Sequence, residues 1–326
     1  MRRREWLGGT AATLIATAAR PQSSRSRPLV GVLITTPLTA GMSARTVAIL
    51  RDELSRLHHA DGERITLDVK SAEGDPGLLA GLAKGLVERE AAVLCAFGPA
   101  AVRAARDATR TIPIVALDLE TDPVQAGWVS SFARPATNIT GLFQDLAMLS
   151  GKWLELLRAA APRARRIAVV WDTSTGSAQL DAMRQVADRW KLELGVIDFA
   201  SSAQLERALQ RRPRSPADAM ALLSSPIVRN SSRELADYAV EARLPAISPF
   251  RPFAEFGGLM AYGPDLDHFF RRCAAFVVKV LSGAQPGDIP IEQPTKFEMV
   301  LNVKAAEVLG LSLPQELLVR ADAVLR

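Results

Sequence analysis

Six short segments gather the residue types that can hold a small polar molecule. They are Thr35-Thr-Pro-Leu-Thr39, Phe97-Gly-Pro-Ala-Ala101, Asp118-Leu-Glu-Thr-Asp122, Asp172-Thr-Ser-Thr-Gly176, Ser224-Ser-Pro226 and Phe250-Arg-Pro-Phe253. Where such a loop opens a helix, the first N–H groups are unpaired and point at whatever lies in front of them, which favours an anion. Thr36, Ser174 and Ser225 add hydroxyls. Gly98 lets a ligand approach the backbone, and Pro99 and Ala100 suit the first helical turn behind it. Asp122 is placed to cap a helix or to meet a cation, and Phe250 offers a stacking ring beside the carboxylate-binding fork of Arg251. Each hydroxyl or carboxylate is equally well explained as an ordinary N-cap, worth about 1 kcal/mol. Buried packing explains the two Phe equally well. What singles the segments out is their joint recurrence.

Other chemistries lack their signatures. The chain has no G-x-G-x-x-G after a strand, no G-x-x-x-x-G-K-[ST], no G-x-S-x-G, no H-E-x-x-H and no C-x-x-C. Its three histidines are His58, His59 and His268. Adjacent histidines on a helix point away from each other, so they do not make a metal pair, and neither metal nor cofactor is expected. The two cysteines, Cys95 and Cys273, sit in apolar runs and read as small core residues. Basic runs at Arg163-Ala-Arg-Arg166 and Arg211-Arg-Pro-Arg214 lie in Pro-flanked connectors rather than on one helical stripe, which argues against a nucleic-acid partner.

The elements that must position the six segments alternate. Short apolar runs at 30–35, 65–70, 92–96 and 114–118 read as buried strands, separated by helical periodicity at 42–57, 77–89 and 100–108. The pattern restarts: strands at 166–171, 193–199, 219–223 and 246–249, helices at 177–190, 202–210 and 231–242. The strand at Val32–Pro37 parallels Ala168–Thr173, and Ile112–Ala116 parallels Leu244–Ser248. This is an α/β chain with two open parallel-sheet, Rossmann-like units, and ligands of such sheets bind outside the carboxyl ends of the strands. All six segments fall there.

With 326 residues, 48% of them hydrophobic and 23% charged, the chain is long enough for two globular cores and is not of disordered composition. Residues 1–18 read as a cleaved signal peptide: Arg2, Arg3 and Arg4, an apolar stretch from Leu7 to Ala19, and an A-x-A site at Ala16-Thr-Ala18. The run Arg3-Arg-Glu-Trp-Leu7 resembles a twin-arginine export signal. Losing this leader removes three Arg and one Glu and lowers the net charge from +5 to +3. The expected destination is the periplasm.

Several motifs together resemble the family of ABC-transporter substrate-binding proteins that includes the tryptophan and tyrosine binders. They are Ser71-Ala-Glu-Gly-Asp75, Thr111-Ile-Pro-Ile-Val115, Thr121-Asp-Pro-Val124, Phe132-Ala-Arg-Pro135, Asn138-Ile-Thr-Gly141, Gly257-Gly-Leu-Met-Ala-Tyr-Gly-Pro264 and Glu292-Gln-Pro-Thr-Lys-Phe-Glu298, continuing through Asn302, Lys304 and Gly310. The chain departs from the family in having Ala136-Thr137 where a Gly-Gly pair is usual and Leu57-His-His-Ala60 in place of a Gly-Tyr turn.

The resemblance implies a type I periplasmic-binding-protein fold: lobe one from 29–140 plus 263–288, and lobe two from 141–258 plus 295–326. Crossovers are expected near 140–141, 259–263 and 289–295, with Thr140, Gly141 and Gly263 as hinge residues. It also implies a non-enzymatic, monomeric protein that captures a small carboxylate-bearing solute, foremost an aromatic or other amino acid, for an ABC permease and its ATPase. Presentation of the solute to a membrane receptor is the alternative. On this placement Thr36, Gly98, Pro99, Ala100 and Asp122 of lobe one face Ser174, Ser225 and Phe250 of lobe two, with Tyr262 at the hinge. The backbone of Gly98–Ala100 takes a carboxylate, Asp122 an ammonium or hydroxyl, and Phe250 stacks.

Overall fold

The computed structural model describes residues 27–39, 41–210 and 217–326. The leader and the Arg211–Arg214 run lie outside them.

In lobe one, β1 (Leu29–Ile34), α1 (Met42–Arg56), β2 (Thr66–Ser71), α2 (Leu79–Glu88), β3 (Val93–Phe97), α3 (Pro99–Ala108), β4 (Ile114–Asp118) and β5 (Ile139–Phe143) form an all-parallel sheet of order β2-β1-β3-β4-β5. Lobe two begins with α4 (Ser150–Ala160), β6 (Arg166–Asp172), α5 (Ala178–Trp190), β7 (Glu193–Phe199), α6 (Ser202–Gln210), β8 (Ala219–Leu222), α7 (Pro226–Asn230) and α8 (Ser232–Glu241). It continues through β9 (Ala246–Ser248), α9 (Arg251–Glu255) and β10 (Met260–Pro264). The chain then makes α10 (Leu266–Leu281), β11 (Phe297–Asn302), α11 (Val303–Val308), α12 (Gln315–Arg320) and β12 (Ala323–Leu325). The second sheet runs β12-β11-β10-β9-β8-β6-β7. Its segment β7-β6-β8-β9-β10 repeats the order of the first sheet, so the two strand pairs that look alike in sequence occupy equivalent places. β11 runs antiparallel to β10 and β12 runs parallel to β11, so these two strands oppose the rest of the sheet.

Burial explains why the strands were readable. β3 and β4 are inaccessible along their whole length, as expected for central parallel strands covered by helices on both faces. The edge strands β2 and β7 are largely half-exposed. On α1 the buried Thr46, Val47, Leu50 and Leu54 follow helical spacing and pack against α10, whose Phe270 ring meets Phe97 edge-on at 5.4 Å. Helix α10 thus belongs to lobe one although it follows lobe two in sequence. Cys95 of β3 and Cys273 of α10 are free and buried, and the neighbouring Cys95 thiol, together with burial, pushes the Cys273 thiol well above its ordinary range.

The chain crosses between lobes three times, each crossing bounded by backbone pairing. Thr140 and Gly141 lie inside β5, in register with Val115 and Ala116, so the first crossing starts after Phe143, later than the sequence suggests. Gly263 is likewise paired, opposite Glu298, and the second crossing follows Pro264. The returning chain stays on lobe one to residue 292, where Glu292 exchanges backbone hydrogen bonds of 3.0 Å with Gly141 and Phe143. The crossings are tied together: the Thr140 hydroxyl donates to the Ile289 carbonyl (2.9 Å) and the Trp153 indole to the Tyr262 carbonyl (2.8 Å). Gly141 adopts φ +131°, and a Cβ there would lie 2.1 Å from the Ala116 carbonyl oxygen, so that position excludes any side chain.

Both departures from the family pattern keep a left-handed backbone without glycine, Ala136 at φ 56° and His58 at φ 61°. A non-glycine residue costs ~1–2 kcal/mol in that conformation. Ala136→Gly should therefore raise stability by ~1 kcal/mol, after the greater flexibility of the unfolded chain is offset. A thermal melt that moved down instead would contradict this.

Candidate functional site

The carboxyl ends of the two sheets face each other, and between them lies a cleft with about 510 Å³ of empty space. Lobe one lines it with Thr36 from the end of β1, Ser43 and Thr46 from α1, Gly98 before α3 and Glu120 beyond β4. Lobe two adds Ser225 before α7, Pro226 and Arg229 within it, and Phe250. Phe97, Leu117, Leu119, Leu266 and Phe270 complete an apolar wall. A larger, polar outer cavity of about 890 Å³ opens beside it, walled by Arg45, Arg251, Arg271, Glu255, Asp267 and Glu298. Arg229, Phe250 and Leu266 line both cavities and form the partition between them.

The lobes are in contact across the cleft. The Ser43 hydroxyl donates to Asn230 Oδ1 at 3.1 Å, Arg229 Nη1 donates to Thr46 Oγ1 at 2.9 Å, and the Ser224 hydroxyl donates to Glu120 Oε1 at 2.5 Å. Arg103 of lobe one bonds the Ser174 carbonyl of lobe two. Ser224 is itself held by Gln179, which takes its N–H at 2.8 Å and donates to its carbonyl at 3.0 Å. Gly98, at φ +88°, lies so close to the other lobe that a Cβ would sit 2.5 Å from Pro226 Cγ.

Electrostatics at the strand ends are governed by burial. Asp118 is inaccessible; its Oδ1 accepts the Glu120 and Thr121 N–H groups at 2.9 and 3.2 Å, and its Oδ2 has no partner. Burial pushes its carboxyl up to about 6. Glu120 rises well above the carboxylate range because it is buried and Asp118 lies beside it. Asp172, on the other lobe, is raised by burial too, and its Oδ2 is also unpartnered. Desolvation of an ionised carboxyl is the common cause. Arg229 is the converse case, a half-buried guanidinium lowered to about 10 by desolvation, in spite of Asp267 nearby. Its ring neighbour is Phe270, 5.0 Å below the guanidinium. Asp267 itself pairs with Arg45. Among the described residues, Arg229 has no carboxylate partner at ion-pair distance.

Of the residues chosen from sequence, the structure brings Thr36, Gly98, Ser225 and Phe250 together on the cleft. Pro99 and Ala100 follow Gly98 into α3 without joining its lining. Asp122 is taken up by its own turn, with Oδ1 accepting the Val124 and Gln125 N–H groups at 2.8 and 3.1 Å. Ser174 joins the lobes at the rim through its backbone, and the Tyr262 ring stacks on Phe297 at 6.2 Å. Thr36 Oγ1 meets the Ser43 hydroxyl, while Ser225 caps α7 by accepting the Val228 N–H at 3.0 Å. The two ionisable groups that line the cleft are Glu120 and Arg229, neither of them among the residues that the sequence singles out. Arg229 follows Ser225 by four residues, one helical turn, which is the signal that would have found it. Glu120 lies two residues beyond Asp118 in an acidic segment where only burial distinguishes it from Asp122.

A tyrosine-binding protein of Clostridioides difficile is 26% identical over 275 residues, 81% of this chain and 77% of the relative. Among solved structures, a conserved domain protein of Vibrio cholerae superposes with a TM-score of 0.81 at 25% identity, covering 92% of this chain and all of the other. An ABC domain from Streptococcus pneumonia in complex with L-Trp gives a TM-score of 0.78 at 21% identity and covers 92% of this chain and all of its own. The fold is that of type I periplasmic binding proteins, two α/β lobes about a cleft. The match to the family extends over residues 32–325, from β1 to β12, and the chain belongs to the ABC transporter substrate binding proteins.

Proposed function

We propose that this protein is the extracytoplasmic solute-binding component of an ABC importer. It closes its lobes on a small carboxylate-bearing solute, foremost an aromatic amino acid, and delivers it as a monomer to a membrane permease coupled to an ATPase. The observation that carries this reading is the cleft: an apolar chamber at the carboxyl ends of two facing sheets, edged with hydroxyls and holding an arginine without a carboxylate partner. Thr36, Gly98, Ser225 and Phe250, with Ser43, Glu120 and Arg229, are the ligand contacts in this reading. The tyrosine-binding relative and the L-Trp complex support the solute class. No helix among the described residues is long and apolar enough to cross a membrane, and the leader-like first eighteen residues support export.

Such a protein works by differential binding: a solute favours the closed form only through contacts it gains there. Moving a two-state population from 1:99 to 99:1 takes ~5.5 kcal/mol. A thermal-shift screen against amino acids, aromatic carboxylates and simple sugars tests the reading. A solute at about 100 times its Kd adds ~2.7 kcal/mol, an upward shift of several degrees at most. A hit among tryptophan, tyrosine and phenylalanine is expected. Absence of a shift with every solute would overturn capture, whereas hits confined to sugars would keep it and remove the amino-acid assignment.

A further inference from the structure

The cleft has two poles, one supplied by each lobe. Arg229 extends from lobe two to Thr46 and Phe270 of lobe one, and Glu120 extends from lobe one to Ser224 of lobe two. The two groups take their surroundings from different neighbours. Arg229 stands on the partition and senses Asp267 and Arg45 of the outer cavity, whereas Glu120 lines only the inner chamber and senses Asp118 and Ser224. Between them lies the wall of Phe97, Leu117, Leu119 and Phe270. Glu120 is only 5% exposed, and its second oxygen receives just the long Leu119 N–H bond of 3.2 Å.

Resting on the amino-acid reading above, we infer that Arg229 holds the solute's carboxylate at the partition and that Glu120 selects side chains ending in a hydrogen-bond donor. The head group then sits at the edge of the outer cavity, where its ammonium shares the Asp267 carboxylate with Arg45. The side chain enters the apolar chamber, and a phenol O–H or indole N–H at its tip donates to Glu120 beside Ser224. A solute with a bare hydrocarbon tip leaves this buried oxygen without that bond, and buried polar groups left unmatched are what give polar pockets their discrimination. Because each pole reaches its place only when the lobes meet, a solute touching both would also favour the closed form.

Calorimetric titration with matched probes tests the assignment. Tyrosine should bind the wild-type protein at least tenfold more tightly than phenylalanine or the O-methyl ether of tyrosine, and at least tenfold more tightly than tyramine, which lacks the carboxylate. In Glu120→Leu the preference for tyrosine over phenylalanine, and over the O-methyl ether, should vanish. In Arg229→Met the gap between tyrosine and tyramine should close. Equal binding of tyrosine, its ether and phenylalanine by the wild type overturns the role of Glu120 without recourse to any variant, as does a preference that survives Glu120→Leu. A tyramine gap that survives Arg229→Met overturns the role of Arg229. If no aromatic amino acid binds but another solute scores in the thermal screen, this assignment falls and solute capture stands.

Discussion

Gly98→Ala should weaken binding of the captured solute ten- to a hundredfold while leaving both lobes folded. The added methyl would sit 2.5 Å from Pro226 Cγ, a contact across the cleft that exists only when the lobes are together. Overpacking of this kind costs ~1–3 kcal/mol, which falls on the closed form alone and so appears in full as lost affinity. A second effect is local: φ +88° with ψ 160° is a region that only glycine occupies readily, and its strain falls on open and closed forms alike. The two can be separated by removing the Pro226 ring. In Gly98→Ala with Pro226→Ala the clash disappears and the strain remains, so affinity should recover toward that of Pro226→Ala alone while the melting temperature stays low. Equal affinity in the wild type and Gly98→Ala would show that the two lobes do not approach at this point when solute is held.

The second large effect is a dependence on pH. Asp118 is displaced from an ordinary 3.8 to about 6 by burial, and a displacement of that size is worth ~3 kcal/mol between its two protonation states. A raised carboxyl binds its proton more tightly in the folded protein than in the unfolded chain. Its stabilising contribution is therefore complete below about 3.8 and is lost as pH rises through about 6. Glu120 and Asp172 are displaced in the same direction. Glu53, Glu155 and Asp218, held low by arginine or lysine partners, act oppositely but only at the acid end, below the ordinary carboxylate range. The melting temperature should thus fall as pH rises from about 4 through about 6, and Asp118→Asn should flatten that fall. A wild-type profile that is flat over this interval, or a variant profile as steep as the wild type, would contradict the assignment.

The alternation of strand and helix was legible because central parallel strands are covered on both faces and leave uninterrupted apolar runs, as in Val93–Phe97 and Ile114–Leu117. The elements at the crossings were not read as strands. β10 and β11 pair with each other across the whole of α10, Tyr262 opposite Met299, and no local pattern reports that. The site divides similarly. Gly98 announces itself as a glycine before a proline at a strand end, and Ser225 as a cap residue before Pro226 at the start of a helix. Asp122 and Glu120 look alike in the sequence; the fold turns one into a solvent-facing cap and buries the other against the opposite lobe. Arg229 is marked only by its place one helical turn after Ser225.

The late return of α10 to lobe one has a consequence for how the protein is made. The faces of α1, β3 and β4 that α10 covers are complete once Phe143 has been synthesised, yet their cover ends only at Leu281. At the ~5–20 residues per second of synthesis, that surface waits roughly 7 to 28 s, with lobe two emerging in the meantime. Lobe two is in the same position, since β11 and β12 come last. Neither half can finish alone, and pairings this distant along the chain are slow to form. Lobe one therefore keeps apolar surface open until α10 has left the ribosome, and lobe two until β11 and β12 have.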